Sequence, residues 1–354
     1  MSALRERLIA RIAATGPMTL ADYMAACLTD PDHGYYATRD PFGRAGDFIT
    51  APEISQMFGE MIGLFLAQVW IDQGRPERFA LAELGPGRGT LMADALRALR
   101  AVPGAREAAE VHFVETSPTL RRLQAERVPD AHWHDRVADL PALPLWLMAN
   151  EFFDALPVRQ FRREDGGWSE TVVGLRGGGL ALGFGPVSRL AALDDRLADT
   201  RPGDIVEICP ALPGIAAEIG GRIAQRGGVA LVIDYGGWHS RGDTLQALRD
   251  HRPVDPLADP GAADLTAHVD FEALALAFTR GGARPTGMTP QGVFLERLGI
   301  AARAERLAAG LSGPALASHR AAHRRLTHPA EMGTLFKALA CTPQGAAAPP
   351  GLDP

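Results

Sequence analysis

Three glycines at alternate positions, Gly85, Gly87 and Gly89, follow the acid Glu83 in this chain of 354 residues. An apolar run before Glu83 predicts a strand, and the Ala- and Leu-rich stretch after Thr90 predicts a helix. Glycines in such a turn let the backbone approach a ligand that any side chain would block, and the helix start offers unpaired N–H groups. A dinucleotide fingerprint would need glycine in place of Thr90. The turn and its acid therefore favour a positively charged ligand over a pyrophosphate, with an ordinary strand–helix turn as the alternative.

Acidic residues also follow the next two predicted strands. Residues 110–114 predict the second strand, which ends at Glu115, where nucleotide-binding α/β folds hold ribose hydroxyls. The alternative is that Glu115 only interacts favourably with the dipole of the next helix. Asp135 ends a third strand, where it could reach an adenine amino group. His132 and His134 beside it predict no metal site, because neither a cysteine nor a third histidine lies near them.

An amide and two acids follow the fourth predicted strand, at residues 143–148. Open α/β sheets bind ligands at the carboxyl ends of their strands, so Asn150, Glu151 and Asp154 are candidates for a site. Two carboxylates suit a guanidinium, whose planar fork they can hold bidentately. Pairing the guanidinium charge on one side leaves electron density on the attacking nitrogen. The alternative is that Asp154 caps a helix and that the neighbouring aromatic residues belong to the core.

Two further segments combine polar residues with turn signals. Thr50 and Glu53 predict a capping box at the start of a helix. A second interpretation is that the segment from Asp47 to Thr50 folds over a bound cofactor as a lid. His268 lies among acids in residues 264–270, where it is either a hydrogen-bonded turn histidine or a group that orients an acceptor.

Composition limits the class of protein. The net charge is −6, so no general attraction to nucleic acid or to an anionic membrane is expected. No apolar run approaches the ~20 residues of a transmembrane helix, so no membrane insertion is predicted. Cys27, Cys209 and Cys341 are far apart and form no C-x-x-C pair, which favours reduced thiols in a cytoplasmic protein. The oligomeric state is not predicted.

The chain falls into three predicted parts. Residues 1–75 form a helical N-terminal extension with the lid loop. Residues 79–150 alternate strands and helices and the pattern returns near 211, which predicts an α/β core at 76–341 with a Rossmann-like, mostly parallel sheet. An antiparallel β insert is expected at about 158–208, because hairpin signals replace the α/β rhythm there. Residues 342–354 are rich in Ala, Pro and Gly and predict a disordered tail.

Seven segments together resemble one family. They are GDFITAPEIS at 46–55, ELGPGRGT at 83–90, VETSP at 114–118, NEFFDALP at 150–157, IDYG at 233–236, DLTAHVDF at 264–271 and QGVFL at 291–295. In combination they resemble the MidA-type methyltransferases, bacterial relatives of a mitochondrial complex I assembly factor. The resemblance runs from about residue 17 to residue 341.

This resemblance implies a class I methyltransferase fold and S-adenosylmethionine as cofactor. It further implies methylation of an arginine in a protein substrate, such as a subunit of respiratory complex I. The expected cofactor contacts are Asp47, Thr50, Glu83, Gly85, Gly87, Gly89, Glu115, Asp135 and Asn150. The expected catalytic residues are Glu151, Asp154 and His268, which match the paired acids and Thr-His loop of arginine methyltransferases only loosely.

Three other functions stay open at this point. The first is a complex assembly chaperone that retains the cofactor fold without turnover. The second is a small-molecule methyltransferase, because the N-terminal extension and the antiparallel insert could cover a small pocket as well as dock a protein. The third, a nicotinamide dehydrogenase, is disfavoured by Thr90 in the glycine turn.

Overall fold

The structure, a computed structural model, describes residues 2–38 and 50–353. The chain divides into two compact units, each built from separate stretches of sequence. The insert unit comprises the described part of Met1–Phe48 with Asp154–Ala211 and His239–Asp270. The sheet unit comprises the described part of Ile49–Phe153 with Leu212–Trp238 and Phe271–Pro354.

Helices and strands alternate between residues 79 and 150, whereas elsewhere several helices or several strands follow one another. The helices are α1 Ala3–Thr15, α2 Leu20–Thr29, α3 Tyr35–Thr38, α4 Ala51–Ile54, α5 Gln56–Asp72, α6 Thr90–Leu99, α7 Ala105–Ala108, α8 Pro118–Arg127, α9 Leu212–Arg226, α10 Phe271–Arg280, α11 Gln291–Leu298, α12 Ile300–Ala308, α13 Gly313–Thr327 and α14 Met332–Leu335. The strands are β1 Met18–Thr19, β2 Phe79–Leu84, β3 Ala109–Val114, β4 His132–His134, β5 Leu145–Asn150, β6 Arg159–Glu164, β7 Gly167–Arg176, β8 Gly179–Phe184, β9 Ile205–Ile208, β10 Gly228–Gly237, β11 Gln246–Arg249, β12 Arg252–Pro253, β13 Asp264–Thr266, β14 Val269–Asp270, β15 Arg284–Pro285, β16 Thr289–Pro290 and β17 Phe336–Thr342.

The sheet unit contains the predicted mostly parallel sheet. Its strand order is β15-β17-β10-β5-β2-β3-β4, and neighbouring strands from β10 to β4 run parallel. β17 joins β10 in antiparallel fashion. Every residue of β2 is buried, as expected for a strand covered on both faces. This architecture, with an antiparallel β insert and a helical start of the chain, confirms the predicted fold class.

The strand register brings four carboxyl ends to one edge of the sheet. Glu83, the fifth residue of β2, is opposite Met148 of β5 and Phe113 of β3. Val114, the last residue of β3, is opposite His134, the last residue of β4. The residues that follow β2, β3, β4 and β5 therefore emerge side by side, which is where ligands bind in open α/β sheets.

The insert unit is built on antiparallel strands. Its larger sheet has the order β1-β7-β6-β9, with β8 on β7, and its smaller sheet has the order β12-β11-β13. The turn at Asp165 and Gly166 joins β6 to β7 as a hairpin, as the sequence predicts. Helix α1 buries Leu4, Leu8 and Ile12, which lie at four-residue spacing on one helix face. These side chains belong to the core cluster of this unit.

Two features differ from the expected three-part organisation. The N-terminal segment is not a separate extension, because β1 pairs with Val172 and Val173 of β7. The residues after β17 are not the disordered tail that the composition suggested. Leu352 is 6% exposed and belongs to the core cluster of the sheet unit, and Asp353 forms an ion pair of 3.0 Å with Arg297. The backbone N–H of Gly287 also donates to the carbonyl oxygen of Asp353 at 2.9 Å, so the segment is held by backbone as well as side-chain contacts.

Candidate functional site

The glycine turn has the backbone conformation that glycine permits. Gly85, Gly87 and Gly89 have φ values of +55°, +52° and +75°, in the left-handed region. A Cβ atom on Gly85 would stand 3.0 Å from Cδ2 of Phe152, so the turn is packed against this aromatic ring. Gly89 is the residue that precedes α6, and no side chain caps that helix start. The turn thus presents bare backbone at the carboxyl end of β2.

Glu83 is a buried acid directly before this turn. Its side chain is 3% exposed, and burial raises the pKa of its carboxyl well above the usual range. The backbone N–H of Met92, in the first turn of α6, donates to the carboxylate and opposes that rise. The second oxygen, Oε2, is buried and has no hydrogen-bond partner within residues 2–38 and 50–353. A buried carboxylate oxygen without a donor fits a cationic ligand that carries N–H groups.

Glu115 is held at the end of β3 by several donors. Oε1 accepts from the backbone N–H of Ser117 at 2.7 Å, and Oε2 accepts from Nε2 of Gln124 at 3.3 Å. The same Nε2 donates to the carbonyl oxygen of Gly87 at 2.8 Å. Oε1 of Gln124 accepts from the indole of Trp133 at 2.8 Å. One fully buried amide therefore ties the glycine turn to the second acid.

Gln124 is a residue that the sequence analysis missed. It lies four residues after Leu120 on α8, and these two are the buried residues of that helix. Helical spacing predicts an apolar residue at this position, so an amide there was the signal in the sequence that could have revealed it. Its three hydrogen bonds fix the relative position of Gly87 and Glu115 and thereby shape the predicted cofactor site.

Asp135 lies beyond the end of β4, and its side chain is 72% exposed. One carboxylate oxygen accepts from Arg121 at 2.6 Å, and the same guanidinium donates to the carbonyl oxygen of Glu115. The Glu115 and Asp135 positions are thus neighbours at the sheet edge. An exposed, ion-paired aspartate contributes less binding energy than a buried one, since water competes for its charge.

The histidines on β4 have a third histidine beside them, contrary to the reason given from sequence. Nδ1 of His112 on β3 is 3.1 Å from Nε2 of His134, and its ring stacks on His132 with centroids 5.3 Å apart. Burial lowers the pKa of His112 to about 4. In the described part of the chain, no group of three or more His, Cys, Asp or Glu side chains is arranged to hold a metal ion. The sequence could not reveal this proximity, because it arises from the pairing of two parallel strands.

The end of β5 carries an amide and a strained acid. Glu151 has φ +51°, which is uncommon for a residue with a Cβ atom and is shared in the described chain by Arg75, Asp250 and His251. Its Oε1 accepts from the backbone N–H of Ala51 at 3.2 Å and from Nδ2 of Asn150 at 3.0 Å. Oδ1 of Asn150 is buried and finds no donor in the described structure. Asn150 and Glu83 thus each present a buried oxygen atom at the carboxyl ends of adjacent strands.

The predicted capping box at Thr50 is wrong in its contacts. Thr50 precedes α4 but makes no side-chain capping bond, and the backbone N–H of Glu53 donates to the carbonyl oxygen of Thr50 at 2.9 Å. Glu53 accepts from the hydroxyl of Thr90 at 2.5 Å, rather than closing back onto Thr50. Asp47, the other residue of the predicted lid, lies outside the described residues.

Asp234, in β10, holds the segment that follows β5. Oδ2 accepts from the backbone N–H of Phe153 at 3.0 Å, and Oδ1 accepts from the N–H of Tyr235 at 2.9 Å. Asp234 is completely buried. Asp234 lies in the IDYG segment at 233–236, for which no role was predicted, and it anchors the loop that carries Phe152.

The remaining two candidates, Asp154 and His268, belong to the insert unit. The carbonyl oxygen of Asp154 accepts from the backbone N–H of Ala267 at 3.0 Å, so the two candidates lie in adjoining segments. The N–H of His268 donates to Oγ1 of Thr244 at 2.8 Å. Glu207, which is buried, accepts from the N–H of Thr244 at 3.0 Å and anchors this segment in turn.

Comparisons with known proteins give a consistent result. A family model described as "Putative S-adenosyl-L-methionine-dependent methyltransferase" matches residues 61–289. The mitochondrial protein arginine methyltransferase NDUFAF7 homolog of Drosophila melanogaster is 39% identical over 96% of this chain and 85% of its own length. The human NDUFAF7 protein arginine methyltransferase is 36% identical over 95% of this chain and 82% of its own.

A solved structure from Burkholderia thailandensis, crystallised with S-adenosyl-homocysteine bound, is also similar. Its TM-score is 0.83 at 29% identity, covering 99% of this chain and 94% of that chain. The relatives' names contradict one prediction. The expected cytoplasmic location is wrong by this comparison, because the Drosophila, bovine and human relatives are all mitochondrial. Cysteine spacing and hydropathy indicate a reducing environment, but they do not distinguish one reducing compartment from another.

Across the helices of residues 2–38 and 50–353, none combines enough length and apolar character to span a bilayer.

Proposed function

The chain belongs to the S-adenosylmethionine-dependent methyltransferase family, and from this premise we propose that its methyl acceptor is an arginine side chain of a protein. S-adenosylmethionine is its cofactor, and when bound it supplies an electrophilic methyl group on a sulfonium. The relatives named protein arginine methyltransferases are 34–39% identical to this chain. Their names support the arginine acceptor, and the strained acid Glu151 at the end of β5 is the structural observation that carries the proposal.

The cofactor contacts follow from the buried acceptors and the bare backbone. We propose that Oε2 of Glu83 accepts from the cofactor's ammonium group, because a buried carboxylate oxygen is stabilised by a cationic donor. Oδ1 of Asn150 offers a second acceptor on the adjacent strand. Gly85, Gly87 and Gly89 allow close approach to the turn itself.

Glu115 and Asp135 suit the nucleoside end of the cofactor. Glu115 follows β3, where α/β folds hold ribose hydroxyls, and Gln124 fixes its carboxylate. Asp135 accepts from Arg121 with one oxygen, and its exposed carboxylate suits the adenine amino group. Thr50, next to the backbone N–H that Glu151 holds, is assigned to the edge of the same site.

The chemistry requires a nucleophilic nitrogen and a place for its proton. A guanidinium is a poor nucleophile. A carboxylate that holds one of its N–H groups and accepts the proton as the methyl group is transferred promotes attack by that nitrogen. We assign that role to Glu151, whose backbone conformation and bond from Asn150 fix its side chain. For Asp154 and His268, whose segments adjoin within the insert unit, we propose a separate role in holding the acceptor protein. Positioning accounts for most of the effect, because an in-line displacement depends on alignment.

The protein partner is a narrower proposal. A subunit of respiratory complex I is the acceptor that the sequence resemblance implies. The net charge of −6 supports a basic, arginine-containing segment as the part of the partner that binds.

The test is a labelling experiment with a matched variant pair. The purified protein is incubated with methyl-labelled cofactor and with complex I subunits or host lysate, and the labelled residue is located by mass spectrometry. Glu151→Gln keeps the side-chain shape and removes the charge, so we expect a roughly ten- to hundred-fold loss of turnover with little change in cofactor affinity. Glu126→Gln, at an exposed acid on α8, is the control and should retain full activity.

Two results would contradict the proposal. Label on a residue other than arginine, or on a small molecule only, would exclude the assigned acceptor. Arginine labelling at the wild-type rate by Glu151→Gln would remove Glu151 from the mechanism and leave the cofactor assignment intact.

A further inference from the structure

Strand β8, Gly179–Phe184, forms one edge of the larger sheet of the insert unit. It pairs with β7, and in the described ranges no other strand lies on its second side. Its sequence, GLALGF, is uncharged, and Leu182 and Phe184 are 42% and 49% exposed. An edge of this kind presents unpaired backbone groups to solvent together with apolar side chains.

The turn that joins β7 to β8 fixes the hydrogen-bonding pattern of this hairpin. Gly177 and Gly178 have φ values of +58° and +79°, as the two central residues of a tight hairpin turn require. Arg176 and Gly179 flank the turn and are opposite each other. In a two-residue hairpin the flanking residues exchange both backbone hydrogen bonds. Bonded and non-bonded pairs then alternate from residue to residue along β8.

Every second residue of β8 therefore directs its backbone N–H and carbonyl groups away from β7. These residues are Leu180, Leu182 and Phe184. The residue after the strand confirms the alternation, because the N–H of Gly185 donates to the carbonyl oxygen of Glu170 on β7 at 2.8 Å. The outward-pointing backbone groups thus belong to the three largest residues of the strand.

β8 lacks the features that usually keep a sheet edge from pairing. Edge strands are commonly protected by a lysine or another charge, by a proline or by a β-bulge. Residues 177–188 contain no charged side chain, residues 179–184 contain no proline, and the register with β7 runs without a bulge. The guanidinium of Arg162 lies over the Phe184 ring, but Glu164 pairs with it at 2.7 Å and balances its charge. The described structure thus leaves a neutral, apolar edge that can accept another strand.

We propose that β8 is a dimerisation edge, which pairs in antiparallel fashion with β8 of a second copy of this chain. A two-fold axis at Leu182 places this residue opposite itself and Leu180 opposite Phe184 of the second copy. All three outward-pointing residues then exchange both backbone hydrogen bonds with the second copy, about six bonds in total. Their side chains lie on one face of the joined sheet, where apolar cross-strand pairs stabilise neighbouring strands. This inference does not depend on the proposed function.

Charge favours a second copy over the acceptor protein as the occupant of this edge. An arginine-containing segment brings cations, and β8 has no acid to pair with them. A copy of β8 brings no charge, and its row of leucine, leucine and phenylalanine is complementary to itself under two-fold symmetry, as an isologous interface requires. The paired strands have 6 residues each, against about 20–30 residues a side in a standard interface, so the dimer should dissociate on dilution.

Analytical ultracentrifugation of the full chain tests dimerisation. The wild type should change from monomer to dimer as its concentration rises to about 0.5 mM. Leu182→Lys and Leu182→Glu each place like charges opposite each other at the two-fold axis, so each should weaken dimerisation about ten-fold. An equal mixture of the two variants should dimerise again, because opposite charges then meet. Leu276→Lys, at a 50% exposed residue of α10 in the sheet unit, is the control and should dimerise like the wild type.

Amide hydrogen exchange, followed by NMR, tests the pairing itself. In the dilute protein the N–H groups of Ala181 and Gly183 bond to β7 and should exchange slowly, whereas those of Leu182 and Phe184 should exchange quickly. In the concentrated protein the outward N–H groups should also become protected, so that protection extends to every residue of the strand. Leu182→Pro removes an outward N–H without breaking a bond to β7, and it should prevent dimerisation while keeping the melting temperature. The exchange pattern of the wild type decides the question if this variant fails to fold.

Three results would overturn the proposal. The first is a wild type that stays monomeric up to about 0.5 mM. The second is a dimer in which the N–H groups of Leu182 and Phe184 exchange as fast as in the dilute protein, because its copies then meet through another surface. The third is protection of these groups only when an arginine-containing peptide is added, which would make the acceptor the occupant of the edge. The proposed function stands in the first two cases, since neither measures methyl transfer.

Discussion

Replacing Glu83 by glutamine should move cofactor affinity and protein stability in opposite directions. Glutamine keeps an oxygen that can accept from the N–H of Met92, and it removes the charge at the position of Oε2. The loss of a charged hydrogen bond costs roughly 1.5–3 kcal/mol. The dissociation constant for S-adenosylmethionine should therefore rise about ten- to hundred-fold.

The effect on stability has the other sign. Burial raises the pKa of Glu83 in the folded protein above its unfolded value, so the folded state binds more protons. The contribution of this carboxyl is fully present below the unfolded pKa and is lost as pH rises through the folded pKa. In Glu83→Gln this loss of stability does not occur, because glutamine does not ionise. The ligand-free variant should melt at a higher temperature than the wild type at pH 8, and the difference should shrink toward pH 4.

Calorimetry and thermal melting test both effects. In the wild type, affinity for S-adenosylmethionine should increase with pH through the raised pKa, because only the ionised carboxylate pairs with the cation, and in Glu83→Gln it should vary less. Glu126→Gln, at an exposed acid, should match the wild type in both assays. Wild-type affinity in Glu83→Gln, or a lower melting temperature at pH 8, would refute the role assigned to the buried acid.

Other predictions address the scaffold of the site. Gly87→Val places a β-branched residue at φ +52° at a cost of about 1–3 kcal/mol and should abolish cofactor binding by calorimetry; a variant with a native circular dichroism spectrum and normal binding would contradict this. Gln124→Leu should lower the free energy of unfolding by about 1–3 kcal/mol and weaken cofactor binding, because Glu115 and the Gly87 carbonyl each lose a donor; urea titration and calorimetry measure both. Burial lowers the pKa of His112 to about 4, so stability should fall as pH drops from about 6.5 toward 4, and His112→Phe should flatten that part of the unfolding free energy curve.

The sequence was sufficient for the features that depend on local order. Alternating strand and helix patterns predicted the parallel sheet, and the glycine and aspartate residues at 165–167 predicted the hairpin of the insert. Glu83, near the end of β2, and the acids that follow β3, β4 and β5 could be placed at one sheet edge, because parallel strands align their carboxyl ends. The register confirms that placement for the described strands.

Features that depend on contacts between distant residues could not be predicted. The pairing of β1 with β7 joins residue 18 to residue 173, and no local sequence pattern predicts it. The proximity of His112 to His134 and the bond from Tyr36 to Asp264 arise in the same way. The capping box at α4 failed for a related reason, since the side chain of Glu53 accepts from the hydroxyl of Thr90, 37 residues away in sequence, and does not close on Thr50.

Residues that support the site differ from residues proposed to bind the ligand in whether their buried polar atoms have hydrogen-bond partners. Gln124 and Asp234 have acceptors or donors matched by neighbouring backbone and side chains, so their role is complete without a ligand. Glu83 and Asn150 each keep a buried oxygen for which the described residues supply no donor. Unmatched buried atoms also occur elsewhere, as at Nε1 of Trp146, the second residue of β5, far from the carboxyl end of that strand. At the carboxyl end of a strand, a bound ligand can supply the missing hydrogen-bond partner and so remove this free-energy penalty, because ligands bind at that edge of the sheet. Position in the sheet, rather than burial alone, is therefore the reason why we propose Glu83 and Asn150, and not Trp146, as cofactor contacts.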